Sequence, residues 1–164
     1  MASQLKNLSD FSHTTIPSAA NYRFGIVVAE WNSAITNALL QGAYQTLISH
    51  QAKEENIKIY PVPGSFELTS GAELLLKKGD VDAVICLGCV IQGETRHFDF
   101  ICNAVANGVS NVSIKYSKPV IFGVLTTDNQ QQAIDRSGGK HGNKGDEAAI
   151  TAIKMVELAE TLMR

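Results

Sequence analysis

Four short apolar runs, each followed by residues at helical spacing, constrain this chain more than any other feature of its sequence. YRFGIVVAE (22–30), IKIYPV (57–62), DAVICLGCVI (82–91) and PVIFGVL (119–125) read as strands. Between them lie helical stretches. The first is TNALLQGAYQTLISH, capped by Asn32 or Ser33 and running to about Gln51. The second begins at Ser65 and stops at Lys78-Gly79, where glycine suits a helix end. A third runs from about Thr95 to Tyr116. Asp128 is the expected cap of a short helix through Arg136, and a last helix spans about Asn143 to Met163. The order β-α-β-α-β-α-β-α-α predicts an α/β fold of three layers, αβα, around a four-stranded parallel sheet with right-handed crossovers. The third strand is apolar almost throughout, as a strand covered on both faces must be.

One domain, residues 22–164, accounts for this pattern. Residues 1–21 precede it as an arm or edge strand carrying Leu5, Leu8, Phe11 and Ile16. The chain has 164 residues, enough for a core without staples. Its net charge of −2, with no basic run interleaved with aromatics, excludes a nucleic-acid surface. No stretch has the ~18 consecutive apolar residues of a membrane span, and the N-terminus lacks the apolar core of a secretory signal. Three cysteines, an odd number, do not make a disulfide framework. The expectation is a cytoplasmic protein with no membrane partner.

The last helix has a narrow polar side, Glu147, Thr151, Lys154, Glu157, Glu160 and Arg164; apolar residues cover the rest. An apolar arc that wide predicts burial against the sheet and against a second copy of the chain. The alternative is a generously buried helix in a monomer.

In parallel sheets ligands bind beyond the carboxyl ends of the strands, and those ends carry the chemistry here. Cys86-Leu-Gly-Cys89 is not a redox or metal pair: residues three apart in a strand point to opposite faces, so the sulfurs cannot meet. Gly93-Glu94-Thr95 ends the third strand at a helix start, where unpaired amides and the helix dipole suit an anion such as a phosphate; an ordinary strand–helix turn is the alternative. His97 follows in the first helical turn, a proton donor near neutral pH if an anion lies beside it, a surface histidine otherwise. Arg136, with Asp135 beside it, suits bidentate phosphate contact, or else caps the short helix dipole. Lys140 and Lys144 could add charge. Trp31, the sole tryptophan, directly follows the first strand and could stack on a flat ring or anchor the core. Ser65 and Glu67 could hold hydroxyl groups or cap their helix, and Phe122 reads as core. Together Trp31, Ser65, Glu67, Glu94, Thr95, His97 and Arg136 are expected to converge on a flat heterocycle bearing a polyol, plus a small phosphate ester.

VPGSFEL (62–68), LGCVIQGETRHFDF (87–100), VIFGVLTT (120–127), QAIDRSGGKHGNKG (132–145) and FGIVVAEWN (24–32) resemble the signature segments of the 6,7-dimethyl-8-ribityllumazine synthases. The resemblance runs from about residue 22 to the C-terminus. It implies a flavodoxin-like fold and the penultimate step of riboflavin biosynthesis: 5-amino-6-(D-ribitylamino)uracil condenses with 3,4-dihydroxy-2-butanone 4-phosphate, releasing phosphate and water. It implies no metal and no organic cofactor. By the same resemblance Trp31 stacks on the ring. Ser65, Phe66 and Glu67, with the backbone of Cys89, Val90 and Ile91, hold the pyrimidine and ribityl chain. Glu94, Thr95 and Arg136 hold the phosphate, His97 transfers protons, Asp135 steadies Arg136, and Lys144 supports them. Phe122 would come from a neighbouring subunit. Pentamers are implied, and the uninterrupted GGKHGNKG resembles members that assemble sixty subunits into a hollow shell; riboflavin synthase is a further implied partner. Gln92 stands where many members have Arg, Cys89 where Thr is common, and Trp31 where Phe is more frequent. The rival readings are another flavodoxin-like protein that binds a flavin or nucleotide phosphate, and a shell or flavin-storage protein without turnover.

Overall fold

The computed structural model describes residues 7–163; Leu5 of the expected arm and Arg164 of the last helix lie outside the described residues. Four strands form one parallel sheet: β1 (Phe24–Ala29), β2 (Ile57–Val62), β3 (Ala83–Ile91) and β4 (Val120–Thr127), in the order β2-β1-β3-β4. Helices α1 (Ser33–Ser49) and α5 (Lys144–Met163) cover one face; α2 (Leu68–Lys78) and α3 (His97–Tyr116) cover the other. This is the expected three-layer, flavodoxin-like arrangement. The alternation of β3 explains it: Ile85, Leu87 and Cys89 join the α1/α5 core, while Val84 and Cys86 join the α2/α3 core. The chain passes from β1 to β2 on one side, then crosses back over β1 to β3. The branch point between β1 and β3 therefore opens at the carboxyl edge of the sheet.

The two strand cysteines do face opposite layers, as the spacing requires. Burial pushes the Cys86 thiol up to about 12 and the Cys89 thiol up to about 11, so neither is a thiolate near neutral pH. A thiol-specific reagent at pH 8 is expected to leave both unmodified in the native protein and to reach all three cysteines in denaturant. Native-state labelling of Cys86 would mean that β3 opens.

Several local expectations are corrected. Asn32 does precede α1, but in the left-handed conformation (φ 60°), with no side-chain capping bond; its amide is used elsewhere. Ser65–Glu67 forms a 3₁₀ turn, and α2 starts only at Leu68. Helix α3 starts at His97 rather than Thr95. The short helix α4 (Gln130–Ile134) ends before Arg136 and is capped by Asn129, whose Oδ1 accepts from the Gln132 amide 3.0 Å away. Asp128 instead accepts from the Gln132 side chain. Residues 137–143, read as a glycine-rich connection, fold into a small hairpin of β5 (Ser137–Gly139) and β6 (Gly142–Asn143). Gly138 and Gly142 supply the positive φ angles that this hairpin needs.

The described part of the arm, residues 7–21, forms no edge strand. It runs outside α1: the Leu8 amide donates to the His141 carbonyl at the carboxyl edge of the sheet, and the Ala19 amide donates to the His50 carbonyl at the far end of α1. Ile16 packs on the α1/α5 core. Helix α5 buries Ala148, Ala149, Ala152, Ile153 and Val156, yet leaves Met155, Leu158, Leu162 and Met163 exposed. The apolar arc is thus wider than one chain covers.

Candidate active site

A cleft of about 630 Å³ opens at the carboxyl edge of the sheet, over the branch point. Each wall is the end of a strand. From β1 come Trp31 and Asn32, from β2 Gly64, Ser65, Phe66 and Glu67, and from β3 Cys89, Val90 and Ile91. The turn into α3 then adds Gly93, Thr95, His97, Phe98 and Ile101.

The geometry of each wall follows from backbone anchoring. The Glu30 and Trp31 amides donate to the carbonyls of Val62 and Pro63, which fixes the loop after β1 against the end of β2. The indole is nevertheless 73% exposed, so Trp31 is no core anchor: its ring stands free at the mouth of the cleft. Asn32, in its left-handed conformation, turns its side-chain amide across to donate to the Cys89 carbonyl, 2.9 Å away. That bond ties the β1 wall to the β3 wall. Gly88 allows the third tie. A Cβ there would lie 2.6 Å from Ser65 Oγ and 2.8 Å from Leu68, so only glycine lets the Ser65 turn settle on β3. Ser65 is accordingly buried, while Phe66 stays more than half exposed beside Trp31.

The turn that leaves β3 is open. The Gln92 amide donates to the Thr127 carbonyl and ends the sheet pairing. Thr95 Oγ1 accepts from the His97 amide at 3.4 Å, a weak cap on α3. Among the described residues the amides of Glu94, Thr95 and Arg96 donate to no protein group. Unused amides at the start of a 20-residue helix make an anion site. Glu94 and His97 side chains are exposed there, and His97 reaches the cleft. Among the described residues, no three His, Cys, Asp or Glu side chains come together to hold a metal.

Of the residues expected to converge, Trp31, Ser65, Phe66, Glu67, Cys89, Val90, Ile91, Thr95 and His97 line this one cleft, and Glu94 lies between two of its lining residues. Arg136, Asp135, Phe122 and Lys144 do not line it. Phe122 packs half-buried on the α2/α3 core of the edge strand β4. Arg136 fails to join the cleft of its own chain because α4 packs the other way. Ala133, fully buried, seats α4 on the α1/α5 side. Arg136 Nη1 donates to the Gln132 carbonyl at 3.0 Å, and the guanidinium has no ion pair among the described residues. Asp135 does not steady it. That carboxylate accepts from the Gln131 side-chain Nε2 at 2.9 Å and pairs with Lys140 at 3.2 Å; the Gln131 bond, with help from Lys140, holds it below the usual carboxylate range. Lys144 is engaged with Glu147 at 2.6 Å.

Asn32, Phe98 and Ile101 escaped the reading from sequence. Phe98 and Ile101 sit three apart, on the cleft side of the first turns of α3, and that spacing was the available signal. Nothing in the sequence announces that Asn32 bonds to Cys89 rather than capping α1.

Residues 21–160 match the sequence family described as 6,7-dimethyl-8-ribityllumazine synthase. Relatives bearing that name are similar along nearly their whole length. The one from Cytophaga hutchinsonii is 62% identical over 162 residues, covering 99% of this chain and 100% of the relative. The one from Phocaeicola vulgatus is 52% identical over 164 residues, covering 100% and 98%. The one from Flavobacterium johnsoniae is 54% identical over 160 residues, covering 98% and 84%.

Proposed function

The chain belongs to the 6,7-dimethyl-8-ribityllumazine synthase family, and from that membership and the cleft we infer that it makes the lumazine of riboflavin biosynthesis. It condenses 5-amino-6-(D-ribitylamino)uracil with 3,4-dihydroxy-2-butanone 4-phosphate. The observation that carries the reading is the pairing, in one cleft, of a free indole with unused amides and His97 at a helix start.

The pyrimidine stacks on Trp31, with the ribityl chain along Ser65, Phe66, Glu67 and the Cys89–Ile91 backbone. The Glu94 and Thr95 amides hold the phosphate. The 5-amino group attacks the ketone, and water leaves as the Schiff base forms. Loss of phosphate gives an enol, which tautomerises; the second nitrogen then closes the ring with loss of water. His97 moves protons in these steps, beside the bound phosphate. Amine and ketone condense unaided, so holding them face to face supplies much of the acceleration.

Arg136 and Phe122 complete the site from a neighbouring copy. This reading is supported by their absence from the cleft of their own chain and by a guanidinium that has no ion pair among the described residues. The exposed apolar residues of α5 support self-association in general. Pentamers, gathered into a sixty-subunit shell, and a cytoplasmic location complete the proposal.

A rate assay following lumazine absorbance against the uncatalysed blank tests it. The wild-type rate is expected far above blank, and His97→Ala to lose about 10²-fold in kcat while staying above blank. A wild-type rate equal to blank in folded, assembled protein would move the function to binding or storage; total loss in an assembled His97→Ala variant would make His97 indispensable rather than a proton shuttle.

A further inference from the structure

We propose that the N-terminal arm is a positioning element for the phosphate site: residues 7–9 clamp the β5–β6 hairpin and thereby hold Arg136 in place. This rests on the assignment of Arg136 to phosphate binding.

The hairpin has little to hold it from within. Gly138, Gly139 and Lys140 are exposed, and glycine-rich exposed backbone opens readily. Its backbone is nevertheless tied directly to Arg136. The Lys144 amide donates to the Arg136 carbonyl at 2.9 Å, and the His141 amide donates to the Asp135 carbonyl at 2.8 Å. From inside, Asn143 fastens the hairpin: its side-chain amide donates to the Ala38 carbonyl of α1 at 2.9 Å. From outside, the arm closes over it. The Leu8 amide donates to the His141 carbonyl at 2.8 Å, with the Leu8 side chain buried. The Asn143 amide donates to Ser9 Oγ at 2.9 Å, and Asn7 Oδ1 orders the turn by accepting from the Ser9 amide at 2.8 Å. The fit is close at Gly142. A Cβ there would overlap Asn7 Oδ1 and lie 2.8 Å from Ser9 Oγ. Because the arm is anchored again at His50, it can pull on the hairpin as a strap fixed at both ends of α1.

Ser9→Ala removes the acceptor of the Asn143 amide without touching the cleft. It is expected to raise KM for the butanone phosphate, and the inhibition constant of inorganic phosphate, about three- to tenfold. KM for the pyrimidine, kcat and assembly size should stay as in wild type. Asn7→Ala, which removes the acceptor that orders the arm's turn at Ser9 and leaves the hairpin sequence intact, should give the same selective pattern. If phosphate inhibition is unchanged in both variants while Arg136→Ala weakens it, the clamp is refuted and the phosphate site stands. Equal rises in both Michaelis constants would make the arm merely structural and refute the proposal. If Arg136→Ala itself leaves phosphate inhibition untouched, the assignment of Arg136 fails and takes the clamp with it.

Discussion

Replacing Arg136 with alanine is expected to raise KM for the butanone phosphate about a hundredfold while KM for the pyrimidine changes little. Hydrogen bonds from a charged donor contribute roughly 1.5–3 kcal/mol each, and a guanidinium can present two to a phosphate. A hundredfold change corresponds to about 2.7 kcal/mol, so the loss of one good contact suffices. Arg136→Lys should recover part of the loss, since it restores the charge but not the fork. Since the proposed site takes Arg136 from a neighbouring copy, mixing Arg136→Ala subunits with subunits inactivated in the cleft should restore some activity. Steady-state kinetics with each substrate varied in turn reads both effects. An unchanged KM for the butanone phosphate would remove Arg136 from the site.

Gly145→Ala is the largest expected loss of stability. Gly145 is buried where the start of α5 crosses α1. A Cβ there would overlap the Leu39 carbonyl oxygen and lie 2.9 Å from the Ala43 amide nitrogen. Gly42 answers it from α1, leaving room for Asn143 and Asp146, which an added Cβ would meet at 2.5 Å. Gly145 therefore sets the distance between the helices, and neither backbone at its contact can give way without moving a helix. Overpacking of a rigid contact costs about 3 kcal/mol or more. In a chain this long that is a fall of roughly 6–12 °C in Tm. Thermal unfolding of wild type and variant at one matched protein concentration checks it, because any self-association would make Tm concentration-dependent. A shift under about 2 °C would mean that the helices separate cheaply.

The alternation of strands and helices was legible because each apolar run is bounded by glycine, proline or capping residues. The buried character of β3 was legible from its unbroken apolar sequence. What escaped were choices between equivalent local bonds. Asn32 and Asp128 both look like caps, yet Asn32 finds the Cys89 carbonyl and Asn129 takes the cap of α4. The hairpin at 137–143 rests on two glycine φ angles and on an arm more than a hundred residues away in sequence. In the site, residues at the ends of β1, β2 and β3 were predictable as neighbours, since parallel strands bring those ends to one edge. Arg136 was not: the buried Ala133 turns α4 to the opposite layer, a packing preference with no signature in the local sequence.

The crossing from β2 over β1 to β3 has a consequence for how the molecule matures. The three walls of the cleft come from distant parts of the chain and meet only after β1 has acquired both neighbours. A chain with only β1 and β2 paired has secondary structure but no cleft. Ligands of the cleft therefore bind the completed sheet alone and pull the folding equilibrium toward it by mass action. In a cell making this protein, substrate would serve as a folding aid as well as a reactant.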